Sequence, residues 1–319
     1  MIFLTQKKTG WRMSTSGKRN DAGTKPVNED GEKMTEQGKT GILYLCATPI
    51  GNLEDITFRV LRTLKEVDLI AAEDTRNSIK LLNHFDIKTP MTSYHEYNKI
   101  EKAYQLIEKL RKGQNIALIT DAGTPGISDP GEDIVRICYE EGIEVTSLPG
   151  AAACVTALTM SGLPTRRFAF EAFLPREKKE RQMLLEELKE ETRTIIIYEA
   201  PHHLKKTLEE LKEVLGGDRR LTICKELTKK HETKRQTTLG DSLRFYETNE
   251  PRGEYVLVIE GKSREAIARE QQAGWEALSI EEHMAHYESR GIDRKEAMKL
   301  VAKDRGVSKR DIYQSLLSD

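Results

Sequence analysis

Hydrophobic and polar positions alternate in blocks along residues 41 to 163, and the blocks predict strands and helices in turn. Short apolar runs bounded by glycine, proline or polar residues are typical of buried strands, whereas apolar residues three or four positions apart are typical of helices. The predicted strands are 41–47, 69–72, 116–120 and 143–148, and the predicted helices are 52–64, 101–112, 132–141 and 149–164. This alternation favours right-handed crossovers and a mostly parallel sheet, whose ligands bind at the carboxyl ends of the strands.

A second block of alternating elements follows residue 163, where a Leu-Pro step predicts a domain boundary. Its predicted strands are 168–173, 194–198, 221–224 and 255–259, and its predicted helices are 178–191 and 201–215. From residue 279 the pattern is helical only, with a glycine-bearing turn of the kind found in helix-turn-helix units. We therefore predict an α/β fold class with α/β domains at 41–163 and 164–262 and a helical extension at 279–319.

The first 40 residues lack apolar periodicity and are rich in Lys, Thr, Ser, Gly, Asn and Glu. This composition predicts a disordered leader at 1–40, because such a segment buries too little apolar surface to fold. Met13 and Met34 lie within it, so the leader is either part of the native protein or an upstream extension.

Charge is balanced globally and uneven locally. The chain has 51 Lys and Arg against 52 Asp and Glu, so its net charge gives no nucleic-acid signature. Two stretches stand apart, because 219–235 holds seven basic against two acidic residues and 290–310 holds eight against three. Each predicts either a nucleic-acid surface or a solvated charged face.

Cysteine use and hydropathy favour a cytoplasmic protein. The four cysteines are widely spaced without a CxxC motif, as expected of thiols in a reducing compartment. No run approaches the ~18 apolar residues of a membrane helix, and the N-terminus lacks a signal-peptide core. These observations predict no membrane association. His202 and His203 are adjacent rather than four apart, so we also predict no metal site.

The most distinctive loop, DAGTPGISDPG at 121–131, follows a predicted strand. Glycine-rich loops in this position usually bind phosphate, but this one carries aspartates and has neither GxGxxG nor a GKS/GKT motif. The sequence therefore predicts a ligand that is not anionic. Asp121 and Asp129 either cap turns or contact that ligand.

Nine motifs follow one another along the chain: ATPIGNLEDIT (47–57), AEDTR (72–76), SYHEYN (93–98), TDAGTPGISDPG (120–131), LPGAAA (148–153), SGLP (161–164), YEAPHHL (198–204), CKELTKKHE (224–232) and GEYVLVIEG (253–261). Together and in this order, they resemble the bacterial 16S rRNA ribose 2′-O-methyltransferases of the tetrapyrrole methylase superfamily. The resemblance implies a two-domain fold that binds S-adenosyl-L-methionine between its domains and acts as a homodimer. It also implies methylation of the 2′-hydroxyl of a decoding-centre cytidine in 16S rRNA of the 30S subunit.

The same resemblance implies a set of cofactor-binding residues. They are Pro49, Gly51, Asp121, Gly123, Thr124, Ile127, Ala152, Ala153, Glu199, Ala200 and Pro201. Tetrapyrrole-modifying members often read Gly-Asp-Pro where this chain has Gly-Thr-Pro at 123–125, which argues against a porphyrin-like substrate.

A ribose hydroxyl is a poor acid, so a positioned base would speed its methylation. We hypothesise that Asp74 and Glu226 face this hydroxyl. The other candidates stay open, and a salt bridge or cap competes with catalysis for every one: Glu73, Arg76, His95, Glu96 and Lys225. The residues predicted to contact RNA are Arg76, Arg166, Arg167, Lys225, Lys229, Lys230, Lys234 and Arg235. The competing functions are a tetrapyrrole C-methyltransferase and a non-catalytic ribosome assembly factor.

Overall fold

The computed structural model describes residues 40 to 318, so the leader predicted at 1–40 lies outside the described residues except for Thr40. The first half forms a five-stranded sheet in the order β3-β2-β4-β1-β5, and every neighbouring pair is parallel. Its strands are β1 Ile42–Cys46, β2 Leu69–Ala72, β3 Met91–Ser93, β4 Ile116–Ile119 and β5 Glu144–Leu148. The predicted mostly parallel sheet is confirmed for this half.

Helices cover both faces of the first sheet. They are α1 Phe58–Glu66, α2 Thr75–His84, α3 Lys99–Arg111 and α4 Gly131–Glu140, whereas the next helix, α5 Ala153–Met160, packs against the sheet of the second half. Leu43 and Leu118 pack with α3 and α4 on one face, whereas Ile70 and Ala117 pack with α1 and α2 on the other. Both faces are therefore buried, as parallel sheets require.

The structure of this half differs from the prediction in where one helix begins and in two elements that were not predicted. Asn52 caps only a 3-10 turn, Leu53–Asp55, and α1 begins later because Thr57 accepts the Val60 N–H. The sequence analysis also missed β3 and α2. Both are hard to recognise, since β3 has three half-buried residues and α2 begins with polar residues.

The second half forms another five-stranded sheet, in the order β6-β7-β10-β8-β9. Its strands are β6 Phe168–Phe173, β7 Thr194–Glu199, β8 Arg220–Lys225, β9 Thr233–Thr238 and β10 Tyr255–Ile259, and its helices are α6 Lys178–Lys189, α7 Pro201–Leu215 and α8 Leu239–Thr248. Only β6 and β7 pair in parallel, so this sheet is mixed. The α/β fold class is confirmed, and the domain boundary after residue 163 remains a proposal.

Four helices complete the described chain: α9 Arg264–Glu276, α10 Ile280–Glu288, α11 Arg294–Asp304 and α12 Lys309–Ser318. The last three surround a small core of their own, formed by Met284, Ala297, Val301, Ala302 and Ile312. Across residues 40–318, no helix combines the length and hydrophobicity needed to span a bilayer.

Candidate active site

A cavity of about 500 Å³ lies where the carboxyl ends of the first-sheet strands face the second sheet. Its size falls within the roughly 300 to 1,000 Å³ typical of small-molecule sites. Loops after β1, β2, β4 and β5 form one wall, and residues at the ends of β6, β7, β8 and β10 form the other. We call these the first wall and the second wall.

Backbone hydrogen bonds join the two glycine-bearing loops of the first wall. Thr48 donates its N–H to the Gly123 carbonyl at 2.9 Å, and the Gly123 N–H returns a bond to Thr48 at 3.1 Å. Gly123 has a φ of +89°, which a side chain would strain. Because this pair uses both polar backbone groups of Gly123, Gly123 shapes the wall without donating to a ligand.

Asp129 holds the second half of the DAGTPGISDPG loop. Its carboxylate oxygens accept the N–H groups of Gly126 and Gly131, both at 2.8 Å. Burial raises the pKa of Asp129, although these two hydrogen bonds act in the opposite direction. Asp129 is therefore a turn cap that also lines the cavity.

Asp121 connects the loops that follow β2 and β4. It accepts a hydrogen bond from the Asp74 N–H at 3.2 Å and another from the Asn77 amide at 3.3 Å. Glu73 accepts the Asp121 N–H at 3.3 Å and the Thr120 hydroxyl at 2.5 Å. Burial, assisted by the charge of Glu73, raises the pKa of Asp121. Asp121 thus bridges two loops and presents a carboxyl group to the cavity.

The cavity lining is acidic. Among the described residues that line it there is no lysine, arginine or histidine, whereas five carboxylates are present: Glu73, Asp121, Asp129, Glu199 and Glu254. Such a surface disfavours phosphate and favours a ligand with a positive charge. The prediction of a ligand that is not anionic agrees with this lining.

Most residues predicted to bind the cofactor lie around the cavity. Its lining includes Asp121, Gly123, Thr124, Ile127, Ala152, Ala153, Glu199, Ala200 and Pro201. Pro49 and Gly51 are not part of the lining, and Ile50 between them is. Gly51 instead meets the second wall, since a Cβ there would lie 2.5 Å from Lys229 Cγ and 2.9 Å from the Leu227 carbonyl oxygen.

Asp74, one of the two residues hypothesised to face the substrate hydroxyl, lies beside the cavity and not in its lining. Its carboxylate accepts the Arg76 N–H at 2.8 Å and two hydrogen bonds from the Arg76 guanidinium. The hydrogen bonds with Arg76 lower the pKa of Asp74 to about 2. A carboxylate this acidic is a weak base, so its contacts favour positioning α2 over accepting a proton.

Glu226, the other hypothesised residue, braces the second wall. It has a φ of +52°, and its Oε1 accepts the Glu254 N–H at 2.9 Å and the Lys229 ammonium at 3.0 Å. The Glu254 N–H and then Lys229 lower the pKa of Glu226. These contacts favour a structural role, because they tie the carboxylate to Glu254 and Lys229 and stabilise its ionised form.

The residues predicted to contact RNA differ in whether their charged groups are already bound by other side chains. Lys229 is bound by Glu226 and by Glu254, each at 3.0 Å, and Arg76 is bound by Asp74. The Arg235 guanidinium lies 3.7 Å from the centre of the Phe245 ring. The others form no ion pair within residues 40–318: Arg166, Arg167, Lys225, Lys230 and Lys234.

Sequence reasoning missed several residues of the second wall. They are Phe173, Tyr198, Leu227, Glu254, Tyr255 and Val256. All but Phe173 lie in motifs that carry the family resemblance, so the motifs could have identified them. Phe173 has no such signal, and only its position at the end of β6 places it here. In the part of the chain that the structure describes, no group of three or more His, Cys, Asp or Glu side chains is arranged to hold a metal ion.

Comparison with known proteins gives consistent matches. The family model for Tetrapyrrole (Corrin/Porphyrin) Methylases matches residues 42–242. A protein of Halalkalibacterium halodurans called Ribosomal RNA small subunit methyltransferase I is 52% identical over 88% of this chain and 96% of its own length. A Bacillus subtilis protein of the same name is 49% identical over 89% of this chain and 97% of its own.

Solved structures share the fold at low identity. A diphthine synthase superposes with a TM-score of 0.54 at 15% identity, covering 70% of this chain and 91% of that one. A uroporphyrin-III C-methyltransferase from Thermus thermophilus, in complex with S-adenyl homocysteine, gives 0.50 at 17% identity over 68% of this chain and 97% of that one. These structures show the fold alone, whereas the sequence matches confirm the resemblance, and the chain belongs to the tetrapyrrole methylase family, together with the ribosomal RNA small subunit methyltransferases I.

Proposed function

We propose that this protein transfers the methyl group of S-adenosyl-L-methionine to the ribose 2′-hydroxyl of a cytidine in the decoding centre of 16S rRNA. Relatives that share about half of its residues are named as methyltransferases of small-subunit ribosomal RNA. The chain is therefore an S-adenosyl-L-methionine-dependent methyltransferase. The cytidine, the 2′ position, the assembled 30S subunit as substrate, the homodimer and the cytoplasmic location are our proposals.

The acidic cavity is the observation that supports this cofactor. S-adenosyl-L-methionine supplies an electrophilic methyl group on a cationic sulfonium, and it has no phosphate. A lining with five carboxylates and no basic side chain among the described residues suits that charge. The half-buried alanines at 152 and 153 and the glycine at 123 let the backbone approach a flat ring closely.

The chain can support methyl transfer mainly by positioning. Displacement at a methyl group needs the two reacting atoms aligned and water excluded, without a metal ion. Asp74 and Glu226 hold the loops on the two walls through the contacts described above. Asp121 lines the cavity next to Asp74 and has a raised pKa, so we propose that its carboxylate accepts the hydroxyl proton.

Methylation of defined rRNA tests the proposed function. Small subunits from a strain that lacks the gene would be incubated with the purified protein and S-adenosyl-L-methionine. Reverse transcription at low nucleotide concentration would then locate any new 2′-O-methyl group. We expect one new stop, at a cytidine of the decoding centre, and nucleoside mass spectrometry should show a methylated ribose.

The same experiment separates the competing functions. A protein that binds the subunits without adding a mark would be an assembly factor. Methyl transfer to a uroporphyrin with no rRNA mark would support the tetrapyrrole alternative. A methylated base instead of a ribose would contradict the proposed 2′ position while leaving the cofactor unchanged.

A proton-transfer role for Asp121 has its own readout. Asp121→Asn should lower turnover by about 100-fold or more, a larger factor than its effect on the cofactor dissociation constant. Asp74→Asn and Glu226→Gln should change the affinity or the stability more than the chemical step. Full turnover by Asp121→Asn would show that Asp121 is not the base. Loss of turnover without a change in affinity or stability, in Asp74→Asn or Glu226→Gln, would instead support the hypothesis that these two residues face the hydroxyl.

A further inference from the structure

The three C-terminal helices, α10 to α12, take no part in the cavity and have a core of their own. Their acidic side chains around the basic stretch are engaged in local contacts. Asp293 caps α11, Asp311 bonds to Ser308 at the start of α12, and Asp304 accepts the Tyr287 hydroxyl at 2.5 Å. These carboxylates therefore stabilise the helices and do not neutralise the basic side chains around them.

The basic side chains of this unit are mostly unpaired. Arg305 is turned inward and bonds to His283 and to the carbonyl groups of residues 278 and 279, and Lys299 pairs with Glu296 at 2.7 Å. The remaining six have no ion-pair partner among residues 40–318: Arg290, Arg294, Lys295, Lys303, Lys309 and Arg310. All six are exposed except Lys309, which is half-buried. These six side chains are therefore positive charges that no ion pair in the described chain neutralises.

Helical spacing arranges part of this charge in a stripe. Lys295, Lys299 and Lys303 are four residues apart and exposed, whereas Ala297 and Val301 of the same helix are buried. Residues four apart lie on one side of a helix, so the stripe runs for about 12 Å along α11. Gly306, with a φ of +65°, turns the chain after α11, and α12 then packs against α11 in the same small core, with Arg310 in its first turn.

An exposed aromatic ring continues this surface. Tyr313 is 54% exposed and lies three residues after Arg310, hence on the same side of α12. Lysines and arginines neutralise phosphates, and tyrosine rings stack on unpaired bases. The combination of a basic stripe with a neighbouring exposed ring is typical of surfaces that bind structured RNA with single-stranded loops.

We propose that the α11 stripe, Arg310 and Tyr313 form a second RNA-binding surface, which holds small-subunit rRNA apart from the cavity. The identity of the RNA rests on the proposed function. The stripe and Arg310 contact phosphates, and Tyr313 stacks on an unpaired base. Exposed positive side chains that form no ion pair favour a polyanion over a protein surface of mixed charge.

Salt-dependent binding by the full-length chain tests the surface. The probes are purified 16S rRNA and assembled small subunits, each titrated at several KCl concentrations. The triple variant Lys295→Ala, Lys303→Ala and Arg310→Ala should bind both probes more weakly, and the slope of log affinity against log salt should fall by about 2 to 3. Cofactor affinity should stay unchanged.

A matched control removes the same charge elsewhere. Lys178 and Lys179 of α6 and Lys212 of α7 are exposed and have no ion-pair partner in the described chain. Their triple alanine variant should keep the wild-type slope. Tyr313→Ala should weaken binding roughly 10-fold without changing the slope, because stacking involves no phosphate, and Tyr313→Phe should restore it.

Each outcome supports or overturns the surface. A wild-type slope in the stripe variant, or an equal loss in the control, overturns it, as does a wild-type protein that binds no rRNA. Loss of binding to assembled subunits with normal binding to free rRNA would indicate a protein partner and also overturns it. Wild-type protein that binds rRNA through this surface yet adds no methyl group would leave the surface intact and contradict the proposed function.

Discussion

The two walls of the cavity are held together by different forces. In the first wall, backbone groups and turn-capping carboxylates bond to each other, as in the Thr48 and Gly123 pair. In the second wall, the loop after β8 depends on the ion pairs that Lys229 forms with Glu226 and Glu254. Backbone bonds respond little to pH and salt, whereas ion pairs respond to both. The shape of the first wall should therefore depend less on salt than that of the second wall, which rests on ion pairs.

The largest expected effect comes from a side chain in the first wall. Gly123→Val would place a branched residue at a φ of +89°, with its Cβ 3.3 Å from Ile50 Cγ2. Strain of this kind costs about 1 to 3 kcal/mol, so we expect cofactor affinity to fall about 10- to 100-fold by calorimetry.

Gly216 provides the matched control, because it has the same φ of +89° with no atom near its Cβ position. Gly216→Val should destabilise the protein by a similar amount and leave cofactor affinity unchanged. Equal losses of affinity in the two variants would show that general destabilisation, and not the shape of the first wall, weakens binding.

A moderate effect is expected from the ion pairs of the second wall. The pKa of Glu226 lies below its usual 4.5 in the folded protein, so ionised Glu226 stabilises the fold above that pH. Glu226→Gln should lower the free energy of unfolding by about 1 to 3 kcal/mol at neutral pH. As the pH falls through the folded-state pKa, the wild-type protein loses this advantage and the two curves should converge.

Denaturant unfolding between pH 7 and pH 3 measures this convergence. Glu250→Gln is the control, since Glu250 pairs with Lys205 on the surface and should contribute less than about 1 kcal/mol. A difference between Glu226→Gln and wild type that stays constant over the whole range would mean that the charge of Glu226 does not stabilise the second wall.

The smallest effect separates two neighbouring lysines. Lys230 is exposed without an ion-pair partner in the described chain, so Lys230→Glu should lower the salt slope of rRNA binding by about 1 and leave the cofactor site intact. Lys229→Glu should instead disturb the second wall and weaken cofactor binding. If both variants affected only rRNA binding, Lys229 would not brace the wall.

The difference between the walls also explains what the sequence could predict. Glycines at 123 and 126 adopt positive φ, and their position after an apolar run indicated a ligand-binding loop in the first wall, whereas the family resemblance implied the residues of its lining. The second wall makes its turns with Glu226 and Thr228, at φ values of +52° and +63°. Neither residue type predicts a positive φ, so the shape of this loop depends on tertiary contacts that no local pattern reveals.

The same limit applies to function. The motifs predicted the family, and the charges of 121–131 predicted a ligand that is not anionic. The partners of individual carboxylates were not predictable, because Asp121 is joined to residues from another loop, such as Asn77, 44 positions away in sequence. A carboxylate therefore caps a turn, as in Asp129, joins two loops, as in Asp121, or holds one loop, as in Glu226, according to contacts that arise only on folding.

Strand β9 contains two of the residues predicted to contact RNA, and its place in the sheet gives their charge a second role. It lies at the open edge of the second sheet, where unpaired backbone groups are available to a strand of another molecule. Lys234 and Arg235 stand in this strand, and charged side chains on an edge discourage such aggregation. Replacing them with apolar residues would lower solubility as well as any RNA affinity, and the two effects would be hard to separate. Glutamine is therefore the better substitution at both positions.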